Sequence, residues 1–362
     1  MFNRTAPSFT LVSLLVVLCA SCIGQQAVNT AHLQGEVAFE DTDVFSFVSA
    51  SEDSVTVYNP QDTLLFTTYT HGGSIKFLRR GRGQYEVINP LGFSRCGDDL
   101  IVVDHAGISS PNKLITINLR SPEDHSSWTV DDLSWMGATR PICSIVRLSP
   151  TTYLTTGGMY SSGTALSLLD VRNKEFSPID YRVPMITDSD LLAQEAILSL
   201  SSITAPLHPK SLFGYSCGEG KYLDIIELNG NYSVKNHTVA LNTPPRFEGD
   251  SRLIYSMQDR TNRGIKVKST QGHLFVFYNQ PAELEGYKGY PPYYNDYLDV
   301  FTWDGAFVIR LVLDTPFADF IISQDEDVLY SSSMDPESSL PIIKRYRMGT
   351  LLRAGKVGLF II

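Results

Sequence analysis

The feature that most constrains this chain is a unit it repeats: an alternating apolar strand, a polar turn and a second strand. VTVYNPQDTLLFTTYT begins at Val55, LITINLRSPEDHSSW at Leu114 and ALSLLDVRNKEFSPIDY at Ala165. YLDIIELNGNYSVKNHTVAL follows at Tyr222 and YLDVFTWDGAFVIRLVLD at Tyr297. A weaker sixth copy, IIKRYRMGTLLRAG, begins at Ile342. The starts lie about 57 residues apart on average, a period that marks a repeated supersecondary unit. Apolar and polar residues alternate within each copy, as they do along a strand with two unlike faces. Asn229-Gly230 and Asp304-Gly305 predict two-residue type I′ turns, in which both central residues take positive φ. Asn173-Lys174 and Gln61-Asp62 are weaker versions of the same signal.

Further strand-like runs precede the hairpins, at residues 99–104, 144–155, 211–216, 273–278 and 317–331. Four strands per unit and six units predict an all-β fold, a six-bladed β-propeller with four-stranded antiparallel blades around a central channel. A two-sheet sandwich and a β-helix are the alternatives. Helix signals are nearly absent, and residues 191–200 (LLAQEAILSL) are the best candidate. A propeller must also hide the edges of its first and last strands. Residues 36–47 (EVAFEDTDVFSF) and the apolar end at 357–362 (VGLFII) are expected, singly or together, to complete the last blade.

The N-terminus reads as a targeting segment. Arg4 precedes an apolar run at residues 9–18 (FTLVSLLVVL), which has the length of a signal-peptide core and is too short to cross a bilayer as a helix. Leu18-Cys19-Ala20-Ser21-Cys22 resembles the lipobox of bacterial lipoproteins. The resemblance implies a signal peptide at 1–21, cleavage before Cys22 and acylation of Cys22. Cys19 stands where the lipobox usually carries leucine, and a plain secretory signal is the alternative. Residues 22–35 are small and polar and read as a flexible tether to a propeller at 36–362. No aspartate follows Cys22, so the usual inner-membrane retention residue is missing. The expected address is the cell envelope, lipid-anchored, at the outer membrane of a Gram-negative bacterium.

A formal net charge of -10 argues against a nucleic-acid partner, which needs a basic footprint, and against a polybasic grip on anionic lipid. No phosphate loop or metal-ligand spacing stands out, so neither nucleotide, cofactor nor metal is expected. Cys96, Cys143 and Cys217 are too widely spaced for a disulfide framework or a zinc site. One bridged pair and three free thiols both remain open.

Residues 77–86 (FLRRGRGQYE) resemble the early G-R-G-P-x-E element of the TolB-like six-bladed propeller lipoproteins of Gram-negative anaerobes, with Gln84 in place of the proline. The run from 297 to 348 is similar to that family's strand, W-D-G-type turn, L-x-L-D strand and closing strands. The resemblance implies a fold and an address, not a reaction.

Candidate chemistry is sparse. Gly214-Tyr215-Ser216-Cys217-Gly218 matches a nucleophile elbow, but a strand-like run follows where the elbow needs a helix. Asp104, Asp170, Asp224, Asp299 and Asp325 recur near strand ends and read as turn and cap residues; gathered on the axis, such carboxylates would hold a metal. Arg79, Arg80 and Arg82 form a dense basic cluster suited to bidentate contact with an anionic group, or to internal pairing with Glu86. Residues 286–297 (GYKGYPPYYNDY) carry Tyr287, Tyr290, Tyr293 and Tyr294, aromatic faces that suit sugar rings or partner pockets. These features predict a membrane-tethered binding or scaffold module for a glycan, peptide or envelope protein. A lactonase-like metal-dependent hydrolase or lyase with an axial site and an architectural subunit of an outer-membrane complex are the alternatives.

Overall fold

The computed structural model describes residues 28–352, apart from 41, 43, 108–109, 138–140, 158–163, 185–200, 207–210, 245–246, 249–251, 254–263, 280–294, 336–337, 339 and 350. The strands β1 (Thr30–Leu33) and β2 (Gly35–Glu40) come first. The first sheet holds β3 (Ser46–Ala50), β4 (Ser54–Tyr58), β5 (Leu64–Thr70) and β6 (Gly73–Arg80), with β7 (Glu86–Val87) added in parallel at its edge. The second holds β8 (Pro90–Cys96), β9 (Asp99–Gly107), β10 (Ser110–Asn118) and β11 (Thr129–Asp132). The third holds β12 (Ser144–Arg147), β13 (Thr152–Thr156), β14 (Leu166–Asp170) and β15 (Glu175–Pro178). The fourth holds β16 (Ser202–Thr204), β17 (Leu212–Ser216), β18 (Lys221–Leu228) and β19 (Val234–Thr243). A short ladder of β20 (Phe247–Glu248) and β21 (Arg252–Leu253) follows.

The last sheet is larger. It contains β22 (Ile265–Ser269), β23 (His273–Tyr278), β24 (Asn295–Thr302), β25 (Phe307–Ile322), β26 (Val328–Met334) and β27 (Pro341–Arg347), with β2 paired to β27 and β1 to β25. The 16-residue β25 changes partner midway: its first half pairs with β24 and its second with β26. Pro316 sits at that change, where a missing N–H disrupts no regular ladder.

Packing follows from the period of two. In β9, Leu100 and Val102 pack on the first sheet, while Ile101 and Val103 pack on the third. In the third sheet, Tyr153 and Leu169 face back to the second and Leu154 and Leu166 face on to the fourth. In β18, Tyr222 and Ile226 join the third sheet's cluster and Leu223 and Ile225 the last sheet's. Phe47, Val55 and Val57 of the first sheet meet Val328, Tyr330 and Ile343 of the last. The sheets therefore stack face to face, and the final one returns to the first.

The leading strands are neighbours in the same order: β3 touches β8, β8 touches β12, β12 touches β16, β16 touches β22, β22 touches β25, and β25 touches β3. Hydrogen bonds tie these contacts. Ser144 Oγ donates to the Ile203 carbonyl at 3.1 Å and accepts from the Ile203 amide at 3.2 Å. Ser269 Oγ donates to the Ala205 carbonyl at 2.8 Å. The Phe47 amide donates to Asp319 Oδ2 at 2.8 Å, linking first and last sheets.

Several expectations need correction. The copies at 114, 165, 222 and 297 are the third and fourth strands of a sheet, but the copy at 55 is the second and third. The sixth copy is the single strand β27, whose hairpin partner β2 comes from the other end of the chain. The strand expected within 36–47 to complete the last sheet is thus β2; residues 357–362 lie outside the described residues, as does the helix candidate at 191–200. The tether expected at 22–35 ends earlier, because Thr30–Leu33 pairs in parallel with β25 and Leu33 is buried. Type I′ turns do not form. Three of the four turns use one left-handed residue instead, Lys174 at φ 54°, Tyr232 at 65° and Gly305 at 86°, and the turn at Gln61-Asp62 uses none. Side-chain oxygens explain the change. Asp170 Oδ1 accepts from the amides of Arg172 and Asn173, both at 3.0 Å, and Asn229 Oδ1 accepts from those of Asn231 at 3.2 Å and Ser233 at 3.0 Å. Such capping favours a longer turn with a single residue at positive φ.

Asp314 clamps the closing strand. It accepts from the Gly35 amide at 3.2 Å, Lys344 Nζ at 2.8 Å and Tyr346 Oη at 2.9 Å. Gly35 lies against the Tyr346 ring, where an added Cβ would come within 2.6 Å of Cε1. The ring is buried and held by Asp314, so it has no room to yield. Gly35→Ala is expected to destabilise the fold by about 1–3 kcal/mol, read as a lower urea midpoint; an unchanged midpoint would show that β2 does not bear on closure.

Candidate functional site

Strands β3, β8, β12, β16, β22 and β25 line a central cavity of about 480 Å³. Their polar content is high, with Ser46, Ser94, Ser144, Ser202, Thr204 and Ser269 among the lining residues. Four charged residues also line it: Arg95 from β8, Lys266 and Lys268 from β22, and Asp319 from β25. Lys266 Nζ donates to the Ala318 carbonyl at 3.0 Å and lies 3.5 Å from Asp319 Oδ1. Lys268 Nζ donates to the Phe47 carbonyl at 3.0 Å. Arg95 Nε donates to the Gly97 carbonyl at 2.8 Å and Nη1 to the Ala50 carbonyl at 3.4 Å. Burial holds the Lys268 ammonium below the ordinary lysine range; Asp319 opposes that shift and Lys266 adds to it.

The carboxylates that a lactonase-like metal site would need are elsewhere. Asp104, Asp170, Asp224, Asp299 and Asp325 do not line the cavity. Asp104 Oδ1 accepts from the amides of Ile88 at 2.7 Å and Asn89 at 2.9 Å. Asp299 pairs with Arg310 through two hydrogen bonds of 2.7 and 2.9 Å, and Asp325 accepts from the Ser323 hydroxyl at 2.5 Å. Asp224 is fully buried; its Oδ2 accepts from the hydroxyls of Tyr181 at 2.5 Å and Tyr222 at 3.1 Å and lies 3.0 Å from His237 Nδ1. Among the described residues no three His, Cys, Asp or Glu side chains are grouped to hold a metal ion.

Cys96, Cys143 and Cys217 are not joined in disulfides, and all three line the cavity. Burial pushes the Cys143 thiol up to about 11 and raises Cys217 further, so both stay protonated at neutral pH. Ser216 ends β17 and β18 follows it, so the nucleophile-elbow motif is a strand end; its Oγ shares a 2.8 Å hydrogen bond with Ser202 Oγ.

The three arginines do not act together. Arg79 lines a second, open pocket of about 580 Å³ with Lys76, Tyr85, Glu86, Glu123 and His125. Arg80 Nη2 turns to the Pro60 carbonyl at 2.5 Å, and Arg82 is exposed on the loop beyond. Glu86 accepts from the Gly83 amide at 2.8 Å, holding the glycine loop in shape. Among the described residues no carboxylate pairs with Arg79 or Arg82. Tyr85, His125 and Trp128 form an aromatic group, with centroids 5.1 Å apart for Tyr85 and His125 and 4.4 Å for His125 and Trp128. Tyr287, Tyr290, Tyr293, Tyr294 and Cys22 lie outside the described residues.

No family model matches the chain, and no curated protein matches it. Solved structures do. The chain is similar to "Structure of U3-55K" over 85% of its own length and 100% of that chain, at 8% identity and a TM-score of 0.38. It is similar to "Crystal structure of RRP9 WD40 repeats" over 86% and 99%, at 9% identity and a TM-score of 0.39. The assignment as a β-propeller rests on the chain's own geometry: antiparallel sheets packed face to face, leading strands around one cavity, and a last sheet that returns to the first.

Among the described residues Asp319 is the one carboxylate lining the cavity, and it serves two partners, the Phe47 amide and Lys266. Asp319→Ala leaves a buried amide without an acceptor and an ammonium without its counter-charge. A loss of about 2–4 kcal/mol is expected, with Asp319→Asn intermediate because it keeps an acceptor for Phe47; chemical denaturation of the pair measures both.

Proposed function

We propose that the chain is a six-bladed propeller that serves the cell envelope as a lipid-anchored binding module, taking an acidic glycan at the pocket beside Arg79. The blade number is supported by the cycle of leading strands, if β25 is counted as the outer strand of one blade and the inner strand of the next. The anchor and address are supported by the apolar run at 9–18 and the Cys22 motif.

The observation that carries the binding reading is the pairing, in one open pocket, of an aromatic face with an uncommitted cation. Tyr85 offers a ring to stack on a sugar, supported from behind by His125 and Trp128. Arg79 offers a guanidinium fork that fits a carboxylate in bidentate fashion. Lys76 is already paired with Asp62 at 2.9 Å, so Arg79 carries the selectivity for charge. The glycine loop from 81 to 83 keeps the rim low, and Lys113 fixes it by donating to the Gly83 carbonyl at 2.6 Å.

Oligogalacturonates, which join sugar rings to carboxylates, are the probe. Calorimetric titration is expected to show saturable binding that Arg79→Ala weakens by about tenfold or more, in line with loss of a charge-assisted bidentate contact. Arg79 is exposed, so this variant folds. Binding that is equal in wild type and variant, or absent from both, would remove the pocket from the reading. The anchor is tested separately: metabolic labelling with radioactive palmitate is expected to mark the wild-type chain and not Cys22→Ala; label retained by the variant would place the acyl group elsewhere, and an unlabelled wild type would dismiss it.

A further inference from the structure

The central cavity carries charge that the fold itself does not neutralise. Among the described residues three cations line it, Arg95, Lys266 and Lys268, against the single carboxylate of Asp319. This local excess of positive charge sits inside a chain whose formal net charge is -10. Lys266 and Lys268 stand two residues apart on β22, so both project to one side of the sheet. They also meet around one residue, Phe47. Lys268 donates to the Phe47 carbonyl at 3.0 Å, the Phe47 amide donates to Asp319 at 2.8 Å, and Lys266 lies 3.5 Å from the other oxygen of Asp319. Lys266 thus faces the Asp319 carboxylate directly, and Lys268 reaches it only through Phe47.

The donors are in excess as well as the charge. An ammonium has three N–H groups, and among the described residues Lys268 has one hydrogen bond, to Phe47. Away from bulk water, donors and charges left uncompensated are costly. Other lining groups are likewise unsatisfied. Ser94 Oγ, Asn279 Oδ1 and Gln324 Oε1 are buried side-chain oxygens that lack a partner among the described residues, and all three residues line the cavity. The space of about 480 Å³ accommodates a group of several heavy atoms with water around it.

We propose that the central cavity is a binding site for a small oxyanion, a phosphate or carboxylate group, held between the ammonium groups of Lys266 and Lys268. An oxyanion presents several acceptor oxygens in different directions, so one group accepts from both amines at once. Asp319 offsets one of the two lysine charges, and a single negative charge on the oxyanion balances the other. Arg95 adds to the attraction from further off: its bond to Ala50 lies three residues along β3 from Phe47, about 10 Å away. This site is separate from the Arg79 pocket, and neither depends on the other.

The test is calorimetric titration of the purified chain with inorganic phosphate and, separately, with acetate, at constant ionic strength balanced with chloride. Saturable one-to-one binding of at least one of them is expected. Lys268→Met, which keeps the length of the stem and removes the charge, is expected to weaken it by tenfold or more, and Lys268→Arg to restore part of the loss. Phosphate binding without acetate binding assigns the site to phosphoryl groups; comparable binding of both assigns it to oxyanions generally, carboxylate ends included. A second reading uses the wild type, so it does not depend on a variant that folds. With the lysine side chains isotope-labelled, two Nζ-bearing resonances are expected to move with phosphate or acetate and not with chloride. Binding no stronger than that of chloride, equal affinity in Lys268→Met, or lysine resonances that stay still would each overturn the proposal.

Discussion

Burial of both faces of each sheet is the constraint on which the rest of the molecule depends. Neighbouring residues of β9, β13 and β18 face opposite ways into two different apolar clusters, so each sheet supplies half of two cores and owns none. Such a sheet has no polar face to offer water and gains its hydrophobic stabilisation only when both neighbours are in place. The series therefore has to return on itself, and the contact of Phe47, Val55 and Val57 with Val328, Tyr330 and Ile343 is that return. The leading strands are drawn to the centre by the same packing, and their side chains there face each other instead of solvent. What these strands carry on that side decides what the centre can do.

The centre is polar because its residues are, and it is cationic because of two lysines on one strand. That strand, IKVKS, places Ile265 and Val267 in the apolar cluster and leaves Lys266 and Lys268 to the cavity. The thiols of Cys96, Cys143 and Cys217 are held protonated by burial, and the aspartates of the strand ends are occupied by amides, hydroxyls and an arginine. The function proposed for both places, the centre and the pocket of Tyr85 and Arg79, is recognition through hydrogen bonds and charge.

Much of the fold was legible in the sequence, and the limits of that legibility have physical causes. Alternation marked the hairpins from 114 to 297 because apolar and polar positions fall on fixed faces. It could not mark the phase of the copy at 55, since second, third and fourth strands alternate alike. The turns were misread because Asn-Gly and Asp-Gly pairs reveal where φ is free, whereas the capping oxygens of Asp170 and Asn229 act on amides two to four residues away. The arginine triplet looked like one site, yet adjacent strand residues point apart, and Arg79 and Arg80 reach different surroundings. The central charges escaped notice for the opposite reason. Arg95, Lys266, Lys268 and Asp319 are scattered through the chain, and only closure of the sheets brings them together. Lysine at alternate positions of an apolar strand was the available signal, and it reads equally as an exposed face.

The pairing of β2 with β27 joins residues from opposite ends of the chain, Gly35 with Tyr346 and Glu36 with Arg345. A polypeptide that emerges from the ribosome, or threads through a membrane channel, N-terminus first delivers the closing strand at the start and its partner at the finish. The ring therefore cannot shut on a partial chain. Until β27 arrives, the last sheet keeps a bare edge and β2 has no partner there, a state open to binding by chaperones. Topology alone makes the arrival of β27 the moment at which β2 finds its partner.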